Sequence, residues 1–214
     1  MSSALFSNYL IPTLIFLIFC SSHSLLASVK CKELLFRSAV WLKPWYRLLY
    51  NLLALLLFGA WYLSLPADQI LYRVPQPFFT LLIVLQISVA VIAAYLFLNL
   101  SGGGLTGLTQ MREYLKRGAI PNYLDEPDRG KLNRKGLYNH VRHPVYTFVM
   151  IILIASPAMS LNLIYIIISV GFYFYVGTYF EERNLIRRFG DEYRAYQNEV
   201  PRFLPVLFRT GRKK

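Results

Sequence analysis

The chain has 214 residues, which suits one domain rather than two. Hydrophobic residues make up 56% of it and charged residues only 16%, whereas a soluble domain usually carries about 25% charged residues. The formal net charge is +12. The basic residues lie between long apolar runs rather than on one compact polar module, which excludes a nucleic-acid-binding domain. Composition therefore predicts an integral membrane protein.

Apolar runs of spanning length follow one another along the chain. Three of them are close to the about 20 residues that a helix needs to cross the hydrocarbon core, and they cover roughly residues 8–29, 46–65 and 78–100. Residues 144–180 then carry no formal charge, which suits a hairpin of two short helices with a turn over residues 156–162. We predict an all-α fold, a polytopic helical membrane protein with about five transmembrane helices.

Lys and Arg residues give the orientation. Of the 23 in the chain, 22 fall in three segments, which are residues 30–47, the loop 101–143 and the tail after Glu182. With five spans these segments share one side, and the positive-inside rule makes that side the cytoplasm. We expect an exterior N-terminus, a cytoplasmic C-terminus and a location in a bacterial inner membrane. The single membrane domain 1–214 then divides into three N-terminal spans (1–100), a cytoplasmic loop (101–143), a hairpin (144–180) and a cytoplasmic tail (181–214).

The two ends of the chain lead to smaller expectations. The first apolar run lacks a basic start and is too long for the apolar part of a signal peptide, so we expect it to be retained as a span. Cys20 and Cys31 have no metal-ligand spacing, and we expect no metal and two reduced packing residues. In the tail, a helical pattern is interrupted at Gly190, and Asp191 is expected to restart it as an N-cap.

Histidines mark two candidate sites. His23 lies inside the first span, where an ionisable side chain is costly and usually faces a cavity or a partner. It is either an interfacial residue bonded to a backbone carbonyl or part of a substrate pocket. Arg142 and His143 precede Pro144, which begins a span, so backbone N–H groups and the helix dipole there can hold a carboxylate or phosphate. The alternative is that this junction only anchors the helix at the membrane interface.

An acidic pair stands at the other end of the uncharged run. A hairpin brings Glu181 and Glu182 to the same place as Arg142 and His143, which gives a site with both anion-binding and cation-binding groups. A zwitterionic amino-acid group fits such a site. The carboxylates either hold a ligand ammonium or pair with Arg183, Arg187 or Arg142.

These residues resemble a known family. Arg-His-Pro-x-Tyr at residues 142–146 and Glu-Glu at 181–182 are followed by spaced Leu, Phe-Gly, Tyr, Tyr and Val-Pro residues up to Pro205. The pattern resembles the isoprenylcysteine carboxyl methyltransferase superfamily of integral membrane enzymes that use S-adenosylmethionine. Residues 23–28 and 156–160 are similar to its NnrU-like branch and to the bacterial methanethiol S-methyltransferases.

The resemblance implies which residues hold S-adenosyl-L-methionine. Glu181, with Glu182 beside it, is implied at the amino-acid end of the cofactor, and the segment containing Lys131 and Leu132 is implied beside the adenine. The residues implied to line the rest of the pocket are Tyr138, His143, Pro144, Val145 and Tyr146. His23, Arg142 and His143 are our candidates for catalytic roles, because a base or a cation helps a thiol to react as its thiolate.

One position departs from the family. The carboxyl methyltransferases carry an Arg four residues before the Glu, to hold the substrate carboxylate, and this chain has Gly177 there. Our expected acceptor is therefore a small thiol such as methanethiol, while a prenylcysteine carboxylate or a lipid is the alternative. A lipophilic acceptor and membrane lipid are the expected partners, and nucleic acid is not.

Two other classes remain open. Membrane sterol reductases share a similar C-terminal layout and bind NADPH, whose 2′-phosphate needs basic residues that Lys131, Arg134 and Lys135 supply. A non-catalytic NnrU-like membrane partner, such as an assembly factor for a respiratory reductase, is the third reading. Binding of S-adenosylmethionine against NADPH distinguishes the three.

Overall fold

The computed structural model describes residues 7–101, 106–118, 132 and 134–204. Helices dominate these parts of the chain: α1 Leu10–Ala27, α2 Val29–Ser38, α3 Lys43–Leu63, α4 Phe78–Ser101, α5 Leu108–Arg117, α6 Pro144–Ile154, α7 Leu161–Phe189 and α8 Asp191–Glu199. Short 3₁₀ turns cover Val40–Leu42 and Gly136–Asn139, and two strands are β1 Ile70–Arg73 and β2 Ala158–Ser160.

Several helices are long and apolar enough to cross a membrane. By length and composition there are four in the described residues: Leu10–Ala27, Val40–Leu63, Phe78–Tyr95 and Leu161–Phe189. Only 6–11% of the residues in each are buried, so most apolar side chains face outward, as those of lipid-facing helices do. The structure thus indicates an integral membrane protein. The first three spans lie within a few residues of the predicted apolar runs.

The fifth predicted span is not confirmed. Helix α6 has 11 residues, or about 16 Å at 1.5 Å per residue, which is about half of a ~30 Å hydrocarbon core. The turn that follows it is confirmed, because α6 ends at Ile154 and α7 begins at Leu161. Helix α7 then continues past residue 180 to Phe189. The acidic pair therefore lies within this helix, and the cytoplasmic location of the site stays a prediction.

A small β-ribbon corrects the all-α prediction. β1 pairs antiparallel with β2, with Ile70 opposite Ser160 and Arg73 opposite Ala158, and the register is irregular between Ile70 and Tyr72. The Val74 N–H extends the pairing by donating to the carbonyl of Pro157 at 2.8 Å. The ribbon is a minor addition to a mostly helical chain.

The chain packs as two compact units, and the first comprises Met1–Gln69 and Leu98–Asp128. Its core is aromatic: Trp61 of α3 is fully buried, and its ring lies 4.6 Å from that of Phe16 on α1. At the start of α5, Gly107 approaches the backbone of α3 closely. It has a φ of +86°, and a Cβ there would lie 2.5 Å from the Leu48 nitrogen, so only glycine fits this position.

The second unit comprises Ile70–Phe97 and Arg129–Lys214. Gln86 of α4 donates to the carbonyl of Ile152 on α6 at 2.7 Å. Ser160 caps the start of α7 by accepting from the Leu163 N–H at 3.2 Å. The helix ends at Gly190, which has a φ of +55° and is itself the N-cap of α8. The N-cap prediction for Asp191 is therefore wrong, because Asp191 is the first helical residue.

Candidate functional site

The buried carboxylate of Glu182 is the centre of a polar cluster in the second unit. Its side chain is only 3% exposed. An isolated buried charge is strongly unfavourable, but this one accepts four short hydrogen bonds. Its donors are Arg142 Nε at 2.8 Å, His143 Nε2 at 3.0 Å, Gln197 Nε2 at 2.9 Å and Arg202 Nη2 at 2.9 Å. Of the two readings of the acidic pair, pairing with Arg142 is thus the one that the structure shows for Glu182.

Arg142 is held on several sides. Besides the bond to Glu182, its Nη1 donates to the carbonyls of Gln197 and Val200, both at 2.8 Å. Its side chain is 9% exposed. The guanidinium therefore joins the start of α6 to the end of α8. Its charge is compensated within the protein.

The segment after α8 covers the start of α6. The backbone N–H groups of Arg142 and His143 donate to the carbonyls of Pro201 and Arg202, at 2.9 and 3.1 Å, and the Thr147 hydroxyl donates to the Phe203 carbonyl at 2.9 Å. Two of the N–H groups expected to bind an anion therefore bind the chain itself. Pro144 does occupy the first turn of α6, as predicted.

Glu181 differs from its neighbour because it is accessible. Its side chain is 47% exposed. One carboxylate oxygen, Oε2, lies 3.4 Å from both the Tyr146 hydroxyl and His143 Nδ1. These long contacts leave the carboxylate free to accept stronger bonds. It is the acidic group of the cluster best suited to bind a cation from outside the protein.

His143 lies between the two carboxylates. Its side chain is 5% exposed, and burial alone would lower its pKa. Hydrogen bonds and charge attraction from Glu181 and Glu182 outweigh this, so that the pKa is raised from its ordinary value. The site therefore favours the imidazolium, which donates to both carboxylates.

Aromatic rings extend the site along α6 and α7. The Tyr146 ring is parallel to the His143 ring, with centroids 5.5 Å apart and an angle of 2° between the planes. Tyr146 also stacks on Phe174 of α7 at 4.4 Å. Ring faces attract cations. The exposed Glu181 carboxylate and the Tyr146 ring thus offer two features suited to a positively charged ligand.

The remaining implied cofactor residues lie around this cluster or outside the described residues. Lys131 is outside them. Leu132 packs against the buried cluster of Tyr193, Tyr196 and Val200. Burial raises the pKa of Tyr196 to about 12, and its neutral hydroxyl donates to the carbonyl of Tyr138 at 2.6 Å. Pro144 is buried and Val145 half-buried. The cofactor role of these residues stays a prediction.

His23 belongs to the first unit. Its ring lies 2.8 Å from the hydroxyl of Tyr50 on α3 and stacks on the Tyr50 ring at 4.8 Å. Neither alternative from the sequence named this tyrosine as the partner. The catalytic role of His23 stays a prediction. Cys20 and Cys31 are both free, as expected.

Sequence reasoning missed two residues of the Glu182 cluster, Gln197 and Arg202. Gln197 lies on α8, and Arg202 follows the Val-Pro pair that ends it. They reach Glu182 across 15 and 20 residues, which no helical or strand period connects. The available signal was indirect: a buried acid needs more than one donor, but the arginines nearest in sequence, Arg183, Arg187 and Arg188, are not the ones that bind it.

Comparisons with known proteins identify the family of the chain and several similar proteins. Residues 38–200 match the family described as "Protein of unknown function (DUF1295)". A methanethiol S-methyltransferase of Pseudomonas deceptionensis is 26% identical over 211 residues, covering 94% of this chain and 74% of that protein. Methanethiol S-methyltransferase 1 of Bradyrhizobium diazoefficiens is 39% identical over 69 residues, covering 32% of this chain and 24% of that protein. A methanethiol S-methyltransferase of Mycobacterium tuberculosis is 38% identical over 69 residues, covering 32% of this chain and 28% of that protein. No solved structure gives a significant match.

Proposed function

The chain belongs to the DUF1295 family, and we propose that it is an integral membrane methyltransferase that uses S-adenosylmethionine to methylate a small thiol such as methanethiol. The accessible Glu181 carboxylate beside His143 and Tyr146 is the observation that carries the proposal. The names of the similar proteins support the reaction class. The resemblance at residues 142–146 and 181–182 supports the methyl donor.

The residues of the site fit this methyl donor. The exposed Glu181 carboxylate suits an ammonium group, because a charge-assisted hydrogen bond is among the stronger polar contacts. Tyr146 lies beside Glu181, and an aromatic ring next to a carboxylate suits a sulfonium, which is a cation. When bound, S-adenosylmethionine supplies a methyl group that its sulfonium has already activated.

Arg142 and Glu182 act as positioning residues in this proposal. They touch each other, Arg202 and the backbone after α8, and together they fix the start of α6 against α7. His143 lies between this cluster and Glu181, 3.0 Å from Glu182 and 3.4 Å from Glu181. Such preorganisation matters in methyl transfer, because the protein mainly aligns the reacting atoms.

The acceptor is proposed from Gly177. A Cβ at this position would have nothing within 4 Å, so close packing does not explain the glycine, and α7 lacks the Arg that the carboxyl methyltransferases carry here. Arg142 is already bonded to Glu182 and two carbonyls. The described cations of the cluster, Arg142, His143 and Arg202, already contact Glu181 or Glu182. Among the described residues a substrate carboxylate would therefore meet no uncompensated cation there, and an unpaired buried charge is strongly disfavoured. A thiol arrives neutral and avoids this cost.

The proposed reaction needs one proton transfer. The thiol would lose its proton to a base, and S-adenosylmethionine, with its ammonium held by Glu181, would supply the methyl group to the thiolate. The raised pKa of His143 favours its protonated form, so His143 is not the base; the catalytic role of His23 is a separate proposal that rests on the sequence. Replacing His23 by Asn should lower the rate of transfer and leave binding of the methyl donor unchanged.

Binding tests the proposal against its alternatives. Purified protein in detergent is titrated with labelled S-adenosylmethionine and separately with NADPH. Saturable binding of the first alone supports the methyltransferase. Binding of NADPH alone identifies a reductase, and binding of neither identifies a non-catalytic partner. Arg134, one of the residues considered for a 2′-phosphate, forms an ion pair with Glu199, which speaks against the reductase.

A further inference from the structure

Helix α2 connects two helices that are long enough to span a membrane. The first of these ends at Ala27 and the next begins at Val40. Between them the backbone becomes extended at Ser28, with a ψ of 141°, and the Ser28 side chain accepts from the Cys31 N–H to cap α2. α2 has ten residues, or about 15 Å at 1.5 Å per residue. Because both of its ends continue into spanning helices, this short helix has to lie at the boundary of the membrane.

One face of α2 packs on the protein. Lys32 and Phe36 are each only 8% exposed. The Phe36 ring meets the ring of Tyr46 on α3 edge to face at 5.2 Å. The Tyr46 hydroxyl in turn donates to the carbonyl of Leu26 on α1 at 2.7 Å. α2 is therefore held against the ends of both neighbouring helices.

The opposite face of α2 combines an apolar side chain with two cations. Leu34 is 69% exposed, and Lys30 and Arg37 are exposed as well. Residues three and four positions apart are neighbours on a helix surface, so Leu34 has a cation on either side along the helix. Trp41 follows in the 3₁₀ turn and is 68% exposed. Lys30, Leu34, Arg37 and Trp41 are here called the basic face.

This combination suits the headgroup region of a bilayer. Helices in that region bury apolar side chains among the acyl chains and keep Lys and Arg at the level of the headgroups. Tryptophan is enriched at the same depth. The exposed charges of α2 are Lys30, Glu33 and Arg37, which leaves a net positive charge. The lipids that complement it are anionic.

Helix α5 repeats the pattern at the same end of α3. Its Tyr114 ring lies 6.4 Å from that of Trp45, which is in the first turn of α3. Leu115 is 64% exposed and lies among the exposed cations Arg112, Lys116 and Arg117. Two short helices of the first unit thus present leucine and basic residues together, next to the start of one spanning helix.

We propose that the basic face of α2 binds the headgroups of anionic phospholipids, with Leu34 and Trp41 inserted among the acyl chains. The face belongs to the first unit and shares no residue with the cluster around Glu182. The inference is therefore independent of the proposed methyl transfer, and it is tested without any methyl donor present.

The experiment measures which lipid lies next to Trp41. The full-length protein is placed in vesicles made of equal parts of phosphatidylglycerol and phosphatidylcholine, with bromine on the acyl chains of one lipid at a time. Bromine quenches tryptophan emission only at close range. The emission of Trp41 is obtained as the difference between the wild type and Trp41→Phe. The ratio of the two quenching values gives the preference for the anionic lipid.

We expect phosphatidylglycerol to be preferred about fivefold at Trp41, which corresponds to about 1 kcal/mol. Lys30→Gln combined with Arg37→Gln should bring the ratio close to one. The matched control, Lys30→Arg combined with Arg37→Lys, keeps both charges and should leave the ratio unchanged. Salt at about 1 M, where charges interact over only about 3 Å, should lower the ratio in the wild type. The salt measurement covers the case in which the glutamine variant fails to fold.

Three results overturn the proposal. The first is equal quenching by the two brominated lipids, which would mean that the face does not select anionic headgroups. The second is a ratio that neither salt nor the loss of both cations changes. The third is Trp41 emission that neither lipid quenches, because water or another protein would then cover the basic face.

Discussion

Replacing Glu181 by Gln removes the accessible carboxylate of the described cluster and hardly changes its shape. A charge-assisted hydrogen bond contributes about 1.5–3 kcal/mol. Because 47% of the Glu181 side chain is exposed, solvent screens the interaction and the lower end of this range applies. At about 1.4 kcal/mol per tenfold change, we expect S-adenosylmethionine to bind about tenfold more weakly.

Isothermal titration calorimetry in detergent measures this change, and the melting temperature serves as the control for folding. Glu181 makes only 3.4 Å contacts with Tyr146 and His143, so Glu181→Gln should melt as the wild type does. Equal affinities of variant and wild type would refute the assignment of Glu181 to the ammonium. A loss of affinity accompanied by a lower melting temperature would show that Glu181 supports the fold instead.

The remaining predictions concern stability. Glu182→Gln leaves Arg142 buried without its carboxylate, which costs about 3–5 kcal/mol and lowers the melting temperature by about 10 °C. An unchanged melting temperature would contradict the central place of Glu182 in the polar cluster. Gly107→Ala should destabilise more than Gly118→Ala, because both have positive φ but only Gly107 would place its Cβ against backbone; equal thermal shifts would disprove the close approach. The raised pKa of His143 means that its protonation adds stability that is complete below about pH 6.5 and is lost as the pH rises through the raised value. The melting-temperature difference between wild type and His143→Gln should therefore shrink above pH 6.5, and a growing difference would contradict this sign.

The spanning helices were predictable because length and apolar content alone determine them. The runs at 8–29, 46–65 and 78–100 became helices with nearly the same ends. The helices within residues 144–180 were harder to predict. A count of uncharged residues does not show how these residues divide into helices or whether each helix is long enough to span. The ribbon of Ile70–Arg73 with Ala158–Ser160 was not predictable either, because strands of four and three residues carry no readable alternation and pair over a long sequence distance.

In the site, the sequence correctly brought Arg142-His143 and Glu181-Glu182 together, because the two ends of a hairpin must meet. It did not distinguish the two acids. Two adjacent residues of α7 carry a carboxylate that is 3% exposed and one that is 47% exposed. Which of the two is buried depends on how α7 packs on α6 and α8. Arg202 was missed for the same reason, since only the folded chain brings it to Glu182.

Methyl transfer itself tests the central claim most directly. Purified protein is incubated with S-adenosylmethionine labelled on the methyl group, and methanethiol and a farnesylcysteine analogue are offered to the same preparation. The label is then measured in dimethyl sulfide and in the farnesylcysteine ester. We predict label in dimethyl sulfide and none in the ester, with a smaller yield from Glu181→Gln at limiting methyl donor. Label in the ester alone, or in neither product, would contradict the account.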